Sequence, residues 1–453
     1  MIVEKPIEKG EVKNPMQSNS ASNFCEKTEK SNTLFLITAQ LIKYKLIELT
    51  DILEHLSPTQ EVCQEFYESK INQGKLLYIA YLQNKDKEKE KEVTDFSDLF
   101  KFHDSNQKIM LLEALIKVNA WIEAEIMFNL MSSYFDILSS KDLCKTLCDL
   151  ISFLIEPIYN SISYASLFKT VNKDLKDVKY INPFSKFYTT EPKSNENFLS
   201  QITHVKDLLP TLAKVFNILT IGLHTDIILF TKILRLVKHN IKFIITCPES
   251  TNLLAEIIKK VFFPSISLFE SNPNMINELW LIVSEFEYTK RYSFYNDWLN
   301  NSYYTNPYLY IQLGNVSKET NKLCKTLNLT KENIRSNGRK LGSLSNSNPA
   351  VVFDIMIRVL ISYDNQIPSF ISSLSYCSYL SYDVISFIIL KILSDPNREN
   401  LNQSSGDISS WLMNLANLTG SFYKKFHWVE LGGIMCYIVN KLKTGIYIIF
   451  VLT

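Results

Sequence analysis

Lys331-Glu332-Asn333-Ile334, then Gly338-Arg339-Lys340-Leu341-Gly342-Ser343-Leu344-Ser345-Asn346-Ser347-Asn348-Pro349, and finally Ile408-Ser409-Ser410-Trp411-Leu412 frame the stretch that decides the fold. Inside it, Val352, Met356, Val359, Leu360 and Tyr363 recur at the spacing of one helix face. Asn348 suits an N-cap, and Pro349 suits the first helical position, where a missing N–H loses nothing. Pro368 opens a second helix with Phe370, Ile371 and Leu374. Ser381 is expected to cap a third, with Val384, Ile388, Leu390 and Ile392, which Asp395-Pro396 stops. Asp407 is expected to cap a fourth, with Trp411, Leu412, Leu415 and Leu418 facing inward until Gly420 ends it. A last helix covers roughly 431–442.

The same pattern extends toward the N-terminus. Leu111, Leu112, Leu115 and Ile116 make one apolar stripe, and Trp121, Ala124, Met127, Phe128 and Met131 make the next. A polar break at Asn119 joins them as in a helix hairpin. Leu143, Leu147, Leu150, Ile151 and Leu154 continue up to Pro157, and residues 172–198 form the longest expected loop. Helical runs follow at 208–219, 221–236, 253–263 (ending at Pro264), 275–286 and 291–299. Helices are also expected from Ser31 or Thr33 and from Ser57 or Thr59. Residues 84–106 open with alternating Lys, Asp and Glu, the composition of a solvated linker or outer helix face.

Composition points the same way. Only 11 glycines occur in 453 residues, well below the usual ~7%. Tight hairpins and phosphate-cradling loops need glycine for positive φ. The expected fold is therefore all-α, an extended α-solenoid of HEAT- or armadillo-like helix pairs without a fixed sequence repeat. It divides into a disordered N-terminal arm (1–31), N-terminal helices (32–83), a charged linker (84–106), and helical regions 107–330 and 331–445. Residues 446–453 form an atypical apolar tail that reads as a truncated end.

Lys and Arg (48) nearly cancel Asp and Glu (47), so net charge does not point to nucleic acid or anionic membrane as the main partner of the whole chain. The polar N-terminus is unlike a signal peptide, and no membrane span is expected. The 8 cysteines show no disulfide framework and read as small buried hydrophobes in a reducing compartment.

Signs of chemistry are sparse. Walker, Rossmann, zinc-protease and nucleophile-elbow patterns are missing. Cys144 and Cys148 stand at i and i+4, but zinc needs four ligands and no His or Cys lies nearby. The histidines form no cluster, and Asp364 and Asp383 read as cap or turn residues. Gly338-Arg339-Lys340-Leu341-Gly342 reads as a turn between helices whose cations could meet a phosphate. Arg291-Tyr292-Ser293-Phe294-Tyr295-Asn296-Asp297-Trp298 is the densest exposed-looking aromatic group, suited to stacking on bases or a protein, or else to packing between helices. The candidate partner or RNA contacts are thus Arg291, Tyr295, Trp298, Lys331, Arg339 and Lys340, with no catalytic, cofactor or metal residue.

From residue 291 onward the chain resembles the THO complex subunit 2 family. The resemblance rests on Arg291-Tyr292-x-x-Tyr295-x-x-Trp298, Lys331-Glu332-Asn333-Ile334, Gly338-Arg339-x-x-Gly342-x-Leu344 and Ser347-Asn348-Pro349. Tyr363-Asp364-Asn365, Ser373-Leu374-x-Tyr376, Tyr382-Asp383-Val384 and Ile408-Ser409-Ser410-Trp411-Leu412 continue it in order, covering roughly 291–445. It implies a non-catalytic nuclear scaffold coupling transcription to mRNA processing and export. The implied partners are other THO subunits, an RNA helicase, export adaptors and mRNA, with no cofactor, membrane or small-molecule substrate. Family members are longer, with a further helical array and a charged tail that contacts nucleic acid, so helicase and direct RNA contacts fall to this stretch only where that further part does not carry them. A direct RNA-binding module using 291–298 and 331–340 is the alternative expectation.

Overall fold

The computed structural model describes residues 33–82, 106–162, 184, 188, 199–326, 331–396 and 409–443. The expected arm 1–31, all of the linker 84–106 but Asn106, most of the loop 172–198, Asp407 and the tail 446–453 lie outside them.

Among the described residues every regular element is helical. The chain begins with α1 (Thr33–Lys43), α2 (Leu49–Leu53), α3 (Gln60–Leu82), α4 (Gln107–Lys117), α5 (Trp121–Met131) and α6 (Lys141–Ile162). It continues through α7 (Val205–Leu219), α8 (Ile227–Thr246), α9 (Pro248–Ile257), α10 (Phe263–Leu268), α11 (Pro273–Val283) and α12 (Tyr288–Asn300). It closes with α13 (Pro307–Thr326), α14 (Lys331–Ser347), α15 (Pro349–Ser362), α16 (Ile367–Ser373), α17 (Tyr379–Leu393), α18 (Ser410–Lys425) and α19 (Gly432–Lys443). Short neighbours stack on one another in sequence order, α4 on α5 and α6, α6 on α7 and α8, α13 on α14 and α15, α15 on α17 and α18. This is the layering of an all-α solenoid, and the apolar stripes read from the sequence form one contiguous core.

The helix starts follow capping chemistry. Asn106 Oδ1 accepts from the Lys108 and Ile109 amides, and Asp226 Oδ1 accepts from those of Ile228 and Leu229. Asn119 takes a left-handed φ of 59° between α4 and α5, as the break between the two stripes requires. Its amide group also exchanges two hydrogen bonds with the Leu199 backbone.

Several expected stops are not stops. Pro157 lies inside α6. It has no N–H for the Phe153 carbonyl, which instead accepts from Gln201 Nε2, while the Ile202 amide bonds the Leu154 carbonyl. Pro264 does not end its helix either: a widened π-turn, Ile258–Phe262, carries α9 into α10. Gly420 sits within α18. The α17 cap is Ser378 rather than Ser381, with Ser378 Oγ accepting from the Ser381 amide.

The largest change concerns Gly338 to Gly342, expected as a turn and found in the middle of α14. Both glycines mark where α14 meets the segment leading into α17. A Cβ on Gly342 would stand 2.5 Å from the Tyr376 carbonyl oxygen, whereas one on Gly338 would meet the Tyr376 ring at 2.4 Å.

The N-terminal helices are not a separate unit. Helix α3 packs along α13, more than two hundred residues away in sequence. Tyr67 Oη donates to the Thr305 carbonyl, and Lys70 Nζ donates to Ser139 Oγ. This long-range pairing departs from strict nearest-neighbour stacking. The run Val205–Thr225 is long and apolar enough to cross a membrane by length and composition alone, although it carries Lys206, Asp207 and Lys214. More than half of it is buried inside the fold, where α7 packs on α6 and α9, as for a core helix.

The two α14 glycines should respond differently to a methyl group. Gly342→Ala meets backbone and is expected to destabilise by roughly 1–3 kcal/mol. Gly338→Ala meets a part-exposed ring that can swing aside, and gains up to about 1 kcal/mol of helix propensity, so its net effect is small. Thermal unfolding of both variants checks the order; equal losses would refute the backbone-contact account.

Candidate functional site

On α12, Arg291, Tyr295 and Trp298 stand at i, i+4 and i+7 and so share one face. That face points inward. Arg291 is 5% exposed, and Tyr295 and Trp298 are fully buried, so the aromatic group that looked exposed in sequence is interior. It offers no ring for a base to stack on at Tyr295 or Trp298. Of the two sequence readings, packing between helices is the one the geometry gives.

The guanidinium is almost completely bonded. Arg291 Nε donates to Asp383 Oδ2 at 2.8 Å and Nη2 donates to Oδ1 at 3.1 Å, the two-pronged geometry that suits a planar fork and a carboxylate. Nη1 donates to the Phe286 carbonyl, and Nη2 also reaches Glu430 Oε2 at 2.6 Å. Tyr295 Oη donates to Asp383 Oδ2 at 2.8 Å. Burial alone would lower the Arg291 pKa, but the bonds and charge of Asp383 outweigh it and the net shift is upward. Burial, then the Asp383 charge, holds the Tyr295 phenol well above its ordinary range, so it remains a donor. Asp383, expected at a cap or turn, is a buried partner on α17.

A second polar chain leaves from the other end of that face. Trp298 stacks on Phe263 with centroids 4.5 Å apart, and its Nε1 donates to Ser267 Oγ at 2.8 Å. Ser267 Oγ donates to Tyr303 Oη, and Tyr303 Oη donates to Asn348 Oδ1 at 2.8 Å. Asn348 Nδ2 returns to the Ser267 carbonyl. Asn348 precedes α15 as expected, but its side chain makes no cap bond, because this cross-link engages it instead. Ser347 Oγ adds a bond to the Phe269 carbonyl. The Arg-Tyr-Trp, Ser-Asn-Pro and Tyr-Asp-Val motifs therefore meet in two adjoining buried networks that tie α10, α12, α14, α15 and α17.

The remaining candidates lie elsewhere. Arg339 and Lys340 are exposed on α14, and Arg335 is exposed one turn earlier. Lys331 begins α14. The structure does not bring this basic face together with the α12 aromatics as one patch. Cys144 and Cys148 are buried on α6, where Cys144 Sγ donates to the Gly222 carbonyl. Among the described residues no three His, Cys, Asp or Glu side chains are grouped to hold a metal.

Sequence reading also missed a buried lysine. Lys70 Nζ lies 2.7 Å from Ser139 Oγ, 3.9 Å from Asp136 Oδ2 and 4.7 Å from the centre of the Phe66 ring. Burial lowers its pKa to about 8, with Asp136 opposing the fall. Nothing in the α3 sequence distinguishes Lys70 from a surface lysine, because its partners come from another part of the chain.

Breaking the Arg291 pair by Asp383→Asn should cost roughly 3–5 kcal/mol, since it strands a buried cation. Glu430→Gln, at a half-exposed site, should cost about 1 kcal/mol or less. Denaturant unfolding checks the contrast, and similar losses would contradict it. For Lys70, the folded pKa lies below the unfolded value, so the unfolded chain holds more protons between about pH 8 and 10.5. The cost of burying the ammonium is fully present below about pH 8 and disappears as pH rises. Relative to Lys70→Met, the native chain should gain up to about 3 kcal/mol from pH 7 to above pH 10. Parallel stability–pH curves would exclude that shift.

Comparison with known proteins agrees with this architecture. Residues 80–339, more than half of the chain, match the family model for the THO complex subunit 2 N-terminus. Residues 341–416 match that for a transcription- and export-related complex subunit. The boundary between the two matches falls inside α14, which the fold leaves unbroken. THO complex subunit 2 of Mus musculus is 30% identical over 442 residues, covering 92% of this chain and 26% of the relative. The protein of the same name from Arabidopsis thaliana is 24% identical over 91% of this chain and 24% of its own length. That from Saccharomyces cerevisiae is 22% identical over 42% of this chain and 12% of its own. The chain thus spans about a quarter of the length of the first relatives it matches. Since the matched stretches include the helices whose buried motifs meet around Asp383 and Asn348, this chain belongs to the THO complex subunit 2 family.

Proposed function

We propose that this chain is a non-catalytic scaffold segment of a nuclear THO complex, docking other subunits in machinery that couples transcription to mRNA processing and export. The observation that carries this reading is how the interior polar groups are spent. Arg291, Asp383, Tyr295, Trp298, Ser267, Tyr303 and Asn348 bond one another across helices. Side chains with chemical potential are thereby committed to holding helices in register. A stacked array also presents a long surface to several partners at once.

Apolar faces left uncovered support docking. Ile122, Ile126 and Leu130 form an exposed line along α5, and Met435, Val439 and Leu442 form another along α19. An RNA helicase, export adaptors and mRNA enter as partners of the full-length assembly. Direct RNA binding is the weaker reading for this stretch, because only the basic half of its expected patch, Arg339 and Lys340 beside Arg335, is exposed.

Affinity purification of the tagged chain from nuclear extract should recover other THO subunits; repeated recovery without them would overturn the scaffold reading. In a filter-binding salt titration with single-stranded RNA, the chain alone should show weak binding that Arg339→Glu with Lys340→Glu barely changes. Tight binding that falls steeply with salt and is abolished by that double variant would favour the RNA-binding reading.

A further inference from the structure

Above the Arg291–Asp383 pair lies an open cavity of about 430 Å³, lined by Trp280, Tyr379, Tyr382, Trp428, Asp383 and Glu430, with Arg291 in its wall. Four of the lining side chains are aromatic. Trp428 is 53% exposed and Tyr379 is 55% exposed, whereas Tyr382 is buried between them, in edge contact with both. Large aromatic side chains this exposed and this close together mark a recognition surface more than a packing surplus.

The charge of the lining selects the class of ligand. Arg291 brings one positive charge and Asp383 with Glu430 brings two negative ones, which leaves a net negative charge. Arg291 is not available to an anion, since three of its nitrogens already donate to carboxylates or a carbonyl. Its guanidinium also sits 5.7 Å from the centre of the Trp280 ring. Glu430 is different. Only Oε2 is engaged by Arg291, and Oε1 accepts no hydrogen bond among the described residues. Exposed Glu285 and Glu287 in the adjoining turn add negative charge, which Lys290 offsets in part. Aromatic walls beside a half-satisfied carboxylate favour a cation, by ring quadrupole and by charge-assisted hydrogen bonding.

We infer that this cavity receives an arginine or lysine side chain from a basic segment of a partner protein. The side chain's stem would lie against Trp428 and Tyr379, and its charged head would reach Glu430. The inference rests on the docking reading, because the basic segment belongs to a partner. Co-purification reads assembly and a peptide titration reads the cavity, so either can fail without the other.

The test is fluorescence anisotropy of the full chain with a labelled nonapeptide in which arginine alternates with glycine and serine, against lysine, glutamine and glutamate versions. The arginine and lysine peptides should bind at least about tenfold more tightly than the glutamine one, with the glutamate peptide weakest. Trp428→Ala and Glu430→Gln should each weaken arginine-peptide binding by about fivefold or more while circular-dichroism melting stays near that of the native chain. Glu319→Gln, at an exposed carboxylate on α13, should leave binding unchanged. Three results would overturn the assignment: equal binding of the glutamine peptide, an equal loss in Glu319→Gln, or a Trp428-dependent preference for oligouridine over the basic peptide.

Discussion

The ion pair between Arg291 and Asp383 is the constraint on which the second half of the fold depends. Removing a guanidinium and a carboxylate from water carries a penalty of several kcal/mol per ion, which only good geometry and further hydrogen bonds offset. Here both are supplied: the two-pronged contact, the Tyr295 hydroxyl, the Phe286 carbonyl and Glu430 complete the set. Loss of either partner would strand a buried charge, so the pair ties α12 to α17 at the offset where these side chains meet.

The Trp298–Ser267–Tyr303–Asn348 chain extends the same logic one layer farther. Apolar packing supplies the cohesion, and the polar cross-links choose the register. The pairing of α3 with α13 does this across the longest sequence distance, with Tyr67 bonded to the Thr305 carbonyl just ahead of α13, while Lys70 ties α3 to Ser139 in the segment before α6. The result is an array whose interior is cross-linked by these polar contacts and whose outer faces, apolar along α5 and α19 and basic along α14, remain open to partners.

Much of the helical architecture was legible in the sequence because the spacing of Leu111 to Ile116, or of Val352 to Leu360, carries the helix period directly. Punctuation was less reliable. Gly338 and Gly342 carry the composition of a turn, yet here the missing side chain serves a close approach to Tyr376, which no local pattern reveals. Pro157 looked like a stop because the Gln201 amide that satisfies the freed carbonyl lies 44 residues later. Arg291, Tyr295 and Trp298 share a face as their spacing implies, yet they read as exposed partner contacts in sequence, because the carboxylate that neutralises Arg291 stands 92 positions away. The pairing of α3 with α13 left no local signal at all.

The most direct measurement is a double-mutant cycle on Arg291 and Asp383, using Arg291→Met, Asp383→Leu and the double variant in equilibrium unfolding. If the pair sets register, each single change strands a buried charge and the double change relieves it. The coupling should then exceed about 1 kcal/mol, with the double variant less destabilised than the two singles added together. Additivity within about 0.5 kcal/mol would mean that the two side chains act independently, and the account built on their pairing would fail.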